Sequence, residues 1–180
     1  YALSRSIFFY EHRRGNRAAL KMQDLPISVR VAQAVGVFGT LYSAGSSVGI
    51  IQYVIPAIRK SPTPLLLSQW SDTYRRGALT IPPTTILTSS ALAYVSYHFR
   101  STSACRMWAL ASVMAIAIMP FTFIVVFPTN RILEGWHKND GQGVDRKEVD
   151  AKVIEWTYKH SARSCMSLAG GMLALLAMIR

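Results

Sequence analysis

Acidic side chains are scarce in this sequence: 9 Asp and Glu stand against 20 Lys and Arg, for a formal net charge of +11. No acid falls inside a long apolar run, which removes the intramembrane carboxylates on which proton-coupled transport relies. Cysteine is almost missing as well. Cys105 and Cys165 make no C-x-x-C, and neither HExxH nor N-x-S/T occurs, so a zinc site, a zincin and a glycosylated ectodomain lack support. Charge of both signs amounts to 16% of residues against 51% hydrophobic, a membrane composition.

What is present in quantity is uncharged sequence. Val31 to Ile58, Leu79 to Phe99 and Met107 to Phe127 each reach the roughly 20 residues that cross a bilayer core as helix. A fourth, shorter run from Ser164 to Ile179 is read as a span whose helix starts earlier. Gly170-Gly171 inside it suits a membrane helix, where small residues let neighbours approach, and Gly45-x-x-x-Gly49 in the first span reads as a packing seam compatible with a homo-oligomer. The basic residues lie in flanks and loops, where anionic lipid headgroups account for them, and no nucleic-acid reading motif accompanies them.

The expected architecture is all-α: an up-and-down bundle of four transmembrane helices, with spans at about 31–58, 79–99, 107–127 and 161–180. Residues 1–29 are expected to be a basic tail in which Met22, opening "MQDLPISVR", reads as the native start and the stretch before it as an added leader; residues 30–180 are expected to form the membrane domain. With the tail counted, the positive-inside tendency favours a cytoplasmic N-terminus; without it only Arg30 remains and charge leaves both orientations open.

Between the spans, Arg59 to Ala78 reads as a loop with a Pro-rich break and a short helical stretch carrying Leu66, Trp70 and Tyr74, stopped at Gly77. The Ser and Thr of span two are expected to bond carbonyls of the preceding turn around Pro82-Pro83. Span three ends on "FPTNRILEGWHK", where Asn130 reads as a helix C-cap. From Val149, the series Val153, Trp156, His160, Arg163, Ser167 keeps helical spacing, which predicts a fourth helix beginning near Arg146.

If the helices alternate, the first and third connections leave the same face. That gathers Gln69, Trp70 and Tyr74, then Thr129 and Asn130, then Trp156, His160 and Arg163 at one end of the bundle. His98 falls at the other end, too far from His160 for the two to share a haem, and His137 sits in a Gly-rich stretch with no second shell in view. The same geometry keeps Cys105 and Cys165 apart.

Three stretches in order, "QWSDTYRRG", "PFTFIVVFPTN" and "WTYKHSARS", resemble the anthrone oxygenase family, small four-helix membrane proteins of polyketide pathways. The resemblance runs from about Arg30 to Arg180; Lys159 stands where an aliphatic residue is usual, and the leader before Met22 has no counterpart. It implies a monooxygenase that oxidises an anthrone with O2 to an anthraquinone, using no flavin, haem or metal, in the endoplasmic reticulum or a related endomembrane. On that basis His160 is the expected base, since imidazole titrates near neutral pH. Arg163 and Asn130 are the expected anion stabilisers. Gln69, Trp70, Tyr74, Thr129 and Trp156 are expected to hold the rings.

Without the resemblance the same residues read otherwise. His160 and Arg163 become interfacial side chains, and Trp70, Trp136 and Trp156 become belt residues. The alternative function is a non-catalytic four-helix scaffold or complex subunit.

Overall fold

The computed structural model describes residues 25–179. The expected tail and the start at Met22 lie outside the described residues. Four helices follow one another: α1 (Ile27–Ile58), α2 (Thr63–His98), α3 (Ala104–Lys138) and α4 (Arg146–Ile179), with no strand among the described residues. Each packs against two neighbours, α1 on α2 and α4, and α3 on α2 and α4. The all-α four-helix expectation therefore holds. Helices α1, α3 and α4 are each long and apolar enough to cross a membrane. Helix α2 is 36 residues long and opens with the polar stretch around Asp72, Arg75 and Arg76.

Three local expectations are overturned. The loop from Arg59 to Ala78 is only a short turn, because α2 starts at Thr63 and runs unbroken past Gly77, Pro82 and Pro83 to His98. Pro64 in the first turn explains the early start, since a missing N–H costs nothing there. Asn130 caps nothing. Helix α3 continues through it to Lys138, which also places His137 on a helix rather than in a loop. The expected start of α4 at Arg146 is observed.

Two of the helices change pitch on the way. Ile50–Val54 in α1 and Thr122–Val126 in α3 are five-residue π-helical segments. Each ends two residues before a proline, Pro56 and Pro128. A proline offers no N–H to the carbonyl four residues earlier, and a widened turn is how a helix absorbs that deficit without breaking. In α2 two hydroxyls near the double proline turn back as expected, Thr80 Oγ1 donating to the Arg76 carbonyl at 3.0 Å and Thr84 Oγ1 to that of Thr80 at 2.7 Å, whereas Thr85 Oγ1 is buried with no partner among the described residues.

Two buried apolar clusters hold the bundle. One, with Ile55, Leu66, Trp70, Leu133, Val149 and Val153, lies at the end where the first and third connections emerge. The other, with Val37, Leu92, Val95, Trp108, Ala111 and Ala174, lies towards the opposite end. Arg146 ties the two connections together, donating to the carbonyls of Ser61 at 2.6 Å and Arg59 at 2.5 Å and to Asp150 Oδ2 at 2.9 Å. The shared end deduced from the sequence is therefore real. Both Cys105 and Cys165 are free thiols.

Close packing is carried by glycines other than the expected pair. A Cβ on Gly45 or Gly49 would meet nothing within 4 Å, so that seam is unused among the described residues. A Cβ on Gly39 would collide with Thr88, one on Gly36 with Leu92, and one on Gly171 would lie 2.9 Å from Thr40 Oγ1. Gly39→Val is accordingly expected to destabilise the protein by about 1–3 kcal/mol, the usual cost of overpacking. Gly45→Val should leave thermal unfolding in detergent unchanged. Equal unfolding temperatures for the two variants would contradict this packing.

Candidate active site

Between the two apolar clusters all four helices line a cavity of about 530 Å³. Its volume falls within the roughly 300–1,000 Å³ usual for small-molecule sites. The space exists because small residues face it, Ser46 and Ser47 from α1 and Gly77 and Ala78 from α2. Larger apolar side chains complete the wall, among them Ile50, Ile81, Ile118, Met119, Phe123 and Val126. Both π-helical segments and Pro82 stand at this level. Widened turns at binding sites are a recurrent device.

The polar part of the wall is built on α4. Trp156, His160 and Arg163 are spaced four and three residues apart, so they lie above one another on one face. The Trp156 and His160 rings stack, with centroids 4.5 Å apart and planes 20° off parallel. On the following turn, Arg163 Nη2 lies 3.1 Å from His160 Nδ1 and 3.4 Å from Nε2. An atom so nearly equidistant from both nitrogens cannot lie in the ring plane without overlapping Cε1. The guanidinium therefore sits over the imidazole, and the in-plane directions of both ring nitrogens hold no partner among the described residues.

Trp156 has a second task. Its Nε1 donates to Asn130 Oδ1 at 2.7 Å, a buried bond between α4 and α3. An indole nitrogen only donates, which fixes the amide: the oxygen faces Trp156 and the Nδ2 donors face away. Nδ2 makes no hydrogen bond with the described residues, yet it is not among the buried polar atoms left without a partner, so it is accessible on a residue that lines the cavity. Behind this layer Trp70 stacks on Tyr74 at 5.4 Å and meets Trp156 edge-on at 5.8 Å.

Electrostatically the wall is one-sided. Arg163 and Arg76 belong to it, and among the described residues no carboxylate does. Neither arginine has an ion-pair partner among the described residues, whereas the adjacent Arg75 pairs with Glu134. The arrangement favours an anion. Among the described residues no three His, Cys, Asp or Glu side chains meet as a metal would require.

A profile described as anthrone oxygenase matches residues 70–173. Anthrone oxygenase nsrD of Aspergillus novofumigatus is 30% identical over 152 residues, covering 82% of this chain and 93% of that protein. The chain belongs to the anthrone oxygenase family. AgnL2 of Paecilomyces divaricatus is 26% identical, with 83% and 96% covered, and tpcL of Aspergillus fumigatus is 28% identical, with 85% and 96% covered; both carry the name anthrone oxygenase. No solved structure matches the chain.

The family resemblance read from the motifs is thus established, and the matched region contains every residue of the polar wall except those of α1. Of the site residues expected from the sequence, Tyr74, Asn130, Trp156, His160 and Arg163 line the cavity together. Gln69, Trp70 and Thr129 do not. Gln69 Oε1 accepts from Ser61 Oγ at 3.2 Å, at the turn between α1 and α2. Trp70 is 1% exposed and belongs to the apolar cluster behind the wall. Thr129 is occupied by Glu155 at 3.1 Å and by Lys159 Nζ at 2.8 Å. Lys159, the unusual residue of the α4 motif, therefore joins α3 to α4 outside the cavity.

The reading from sequence missed Ser47, Arg76, Tyr42 and Phe123, which also line the space. Arg76 stands in "QWSDTYRRG", which reads as loop in the sequence; Ser47 lies inside a span with no chemical motif to mark it.

Proposed function

We propose that the cavity takes a flat, hydroxylated tricyclic anthrone and oxidises its methylene to a carbonyl with O2, yielding the anthraquinone and water without flavin, haem or metal. The observation that carries this reading is an imidazole with free in-plane nitrogens, next to a guanidinium and an unspent amide donor, in an apolar cavity lined by no acid among the described residues. Family membership supports the substrate class.

The chemistry asks little of the protein. The anthrone methylene lies between two aryl rings and is conjugated with the opposite carbonyl, so losing one proton leaves a delocalised, phenolate-like anion. His160 accepts that proton, and Arg163 with Asn130 Nδ2 stabilises the negative charge where it develops. The anion gives one electron to O2, and the resulting radical and superoxide combine, forming a C–O bond and a peroxide anion. The protonated imidazole returns its proton to the peroxide oxygen. Removal of the second methylene proton then forms the C=O bond, breaks O–O and expels hydroxide, which takes up that proton as water. Atoms and electrons balance with O2 as sole oxidant. Trp156 and Tyr74 offer faces against which the rings lie offset.

The protein in nanodiscs, supplied with emodin anthrone and ¹⁸O2, is expected to form emodin faster than empty nanodiscs, with one ¹⁸O in the new carbonyl and one O2 consumed per quinone. Activity should survive chelator and dialysis. Rates equal to empty nanodiscs would remove the enzyme reading, and loss on chelation would remove cofactor independence.

A further inference from the structure

Four of the Ser and Thr residues lining the cavity spend their hydroxyl protons on their own helices. Ser46 Oγ donates to the Tyr42 carbonyl at 2.8 Å, Thr73 Oγ1 to Gln69 at 2.9 Å, Thr80 Oγ1 to Arg76 at 3.0 Å and Thr122 Oγ1 to Ile118 at 2.7 Å. Such back-bonding is the ordinary state of a hydroxyl in an apolar helix. Ser47 breaks the pattern. Its side chain makes no hydrogen bond with any described residue, although the residue is only 3% exposed. It is also not among the buried polar atoms shut away without a partner, so its Oγ reaches free space, and the space it lines is the cavity.

Its height in the bundle adds a second constraint. Helices α1 and α4 run antiparallel, with Thr40 against Gly171 and Arg59 Nε on Asp150 Oδ1 at 3.2 Å. Counting inward from both pairs sets Ser47 level with Arg163. A hydroxyl without a partner in an apolar enclosure is costly, and a ligand that supplies the partner is favoured over one that does not.

We propose that Ser47 is a specificity-determining residue: it hydrogen-bonds one ring oxygen, a phenolic hydroxyl or a carbonyl, on the part of the tricycle lying beside Arg163. This rests on the anthrone reading and names the feature of the substrate that the site reads. Ser47 fixes how the flat ring system is turned, while His160, Asn130 and Arg163 act on the reacting centre.

The test is a binding cycle with stable anthraquinones, which needs no turnover. Wild type and Ser47→Ala in nanodiscs are titrated with emodin and with analogues each lacking one ring hydroxyl, following quenching of tryptophan fluorescence. For one position, removing the hydroxyl should weaken wild-type binding at least tenfold and leave Ser47→Ala binding unchanged. If a carbonyl is the partner, Ser47→Ala weakens every quinone by a similar factor, and a fluorene ligand lacking the carbonyl binds both proteins alike. Either result supports the proposal. Binding of all ligands equally by the two proteins would overturn it. Ser47→Cys, which keeps size but donates weakly, should resemble Ser47→Ala; wild-type discrimination in Ser47→Cys would assign the effect to packing and overturn it too. Failure of any tricycle to bind wild type would instead count against the substrate class proposed above, and against this contact with it.

Discussion

Replacing His160 by Ala should lower kcat by about 10²- to 10⁴-fold, the range typical of a positioned base, and leave the rate near that of the protein-free reaction. The expectation follows from position. His160 is 3% exposed, lines the cavity, and keeps its in-plane nitrogens unspent between Trp156 and Arg163. Among the described residues every other titratable side chain in the wall is an arginine or a tyrosine, side-chain types that do not act as bases at neutral pH. Loss of the ring also leaves an imidazole-sized gap, so added imidazole should restore part of the activity of His160→Ala in a concentration-dependent way. His160→Gln, which fills the gap with an amide, should be inactive and gain nothing from imidazole. Deuteration of the substrate methylene should slow the rescued variant, since proton removal then limits turnover. Wild-type rates in His160→Ala would end its assignment as base.

The sequence carried the helices and one face of the site for the same reason. Apolar length and the three-four spacing from Val149 are local signals, and α4 obeys them from Arg146 onward. The shared end of the bundle followed from alternation alone, and Arg146 physically joins the connections there. Errors came where local punctuation was overruled by packing. Gly77 and Asn130 are stop signals in isolation, but Leu66, Leu67 and Trp70 before the first and Leu133 after the second are buried in one cluster, and that burial holds both helices through the weak points. Before Pro128 the chain widens to a π turn instead of ending.

What could not be read is the cavity itself. A void is a property of facing helices, made where Ser47 and Gly77 happen to oppose larger neighbours, and a single chain pattern records only one side of it. The same limit explains the glycines: Gly45 and Gly49 carry the recognisable spacing, while Gly36 and Gly39, nearer the N-terminus of the same helix, are those that face Leu92 and Thr88. Gln69 and Thr129 share the correct end of the bundle but point to Ser61 and to the Glu155–Lys159 pair. Being at the right height did not put them on the right face.

Trp156→Phe removes one hydrogen-bond donor and keeps an aromatic ring against His160, yet it should cost catalysis about as much as removing the Asn130 amide. The indole N–H is what turns Asn130 Oδ1 inward and leaves Nδ2 for the cavity. Without it the oxygen loses its buried partner, and the amide is free to present an acceptor, which repels the developing anion. Loss of one positioned donor to an oxyanion lowers kcat by roughly 10²- to 10³-fold, so Trp156→Phe and Asn130→Ala should each fall in that range with KM little changed. If both act through a single donor, the Trp156→Phe/Asn130→Ala double variant should be no slower than Asn130→Ala alone. Multiplying losses would mean that Trp156 contributes by stacking on substrate and not by orienting the amide. A thermal unfolding temperature close to wild type for Trp156→Phe separates this effect from a general loosening of the contact between α3 and α4.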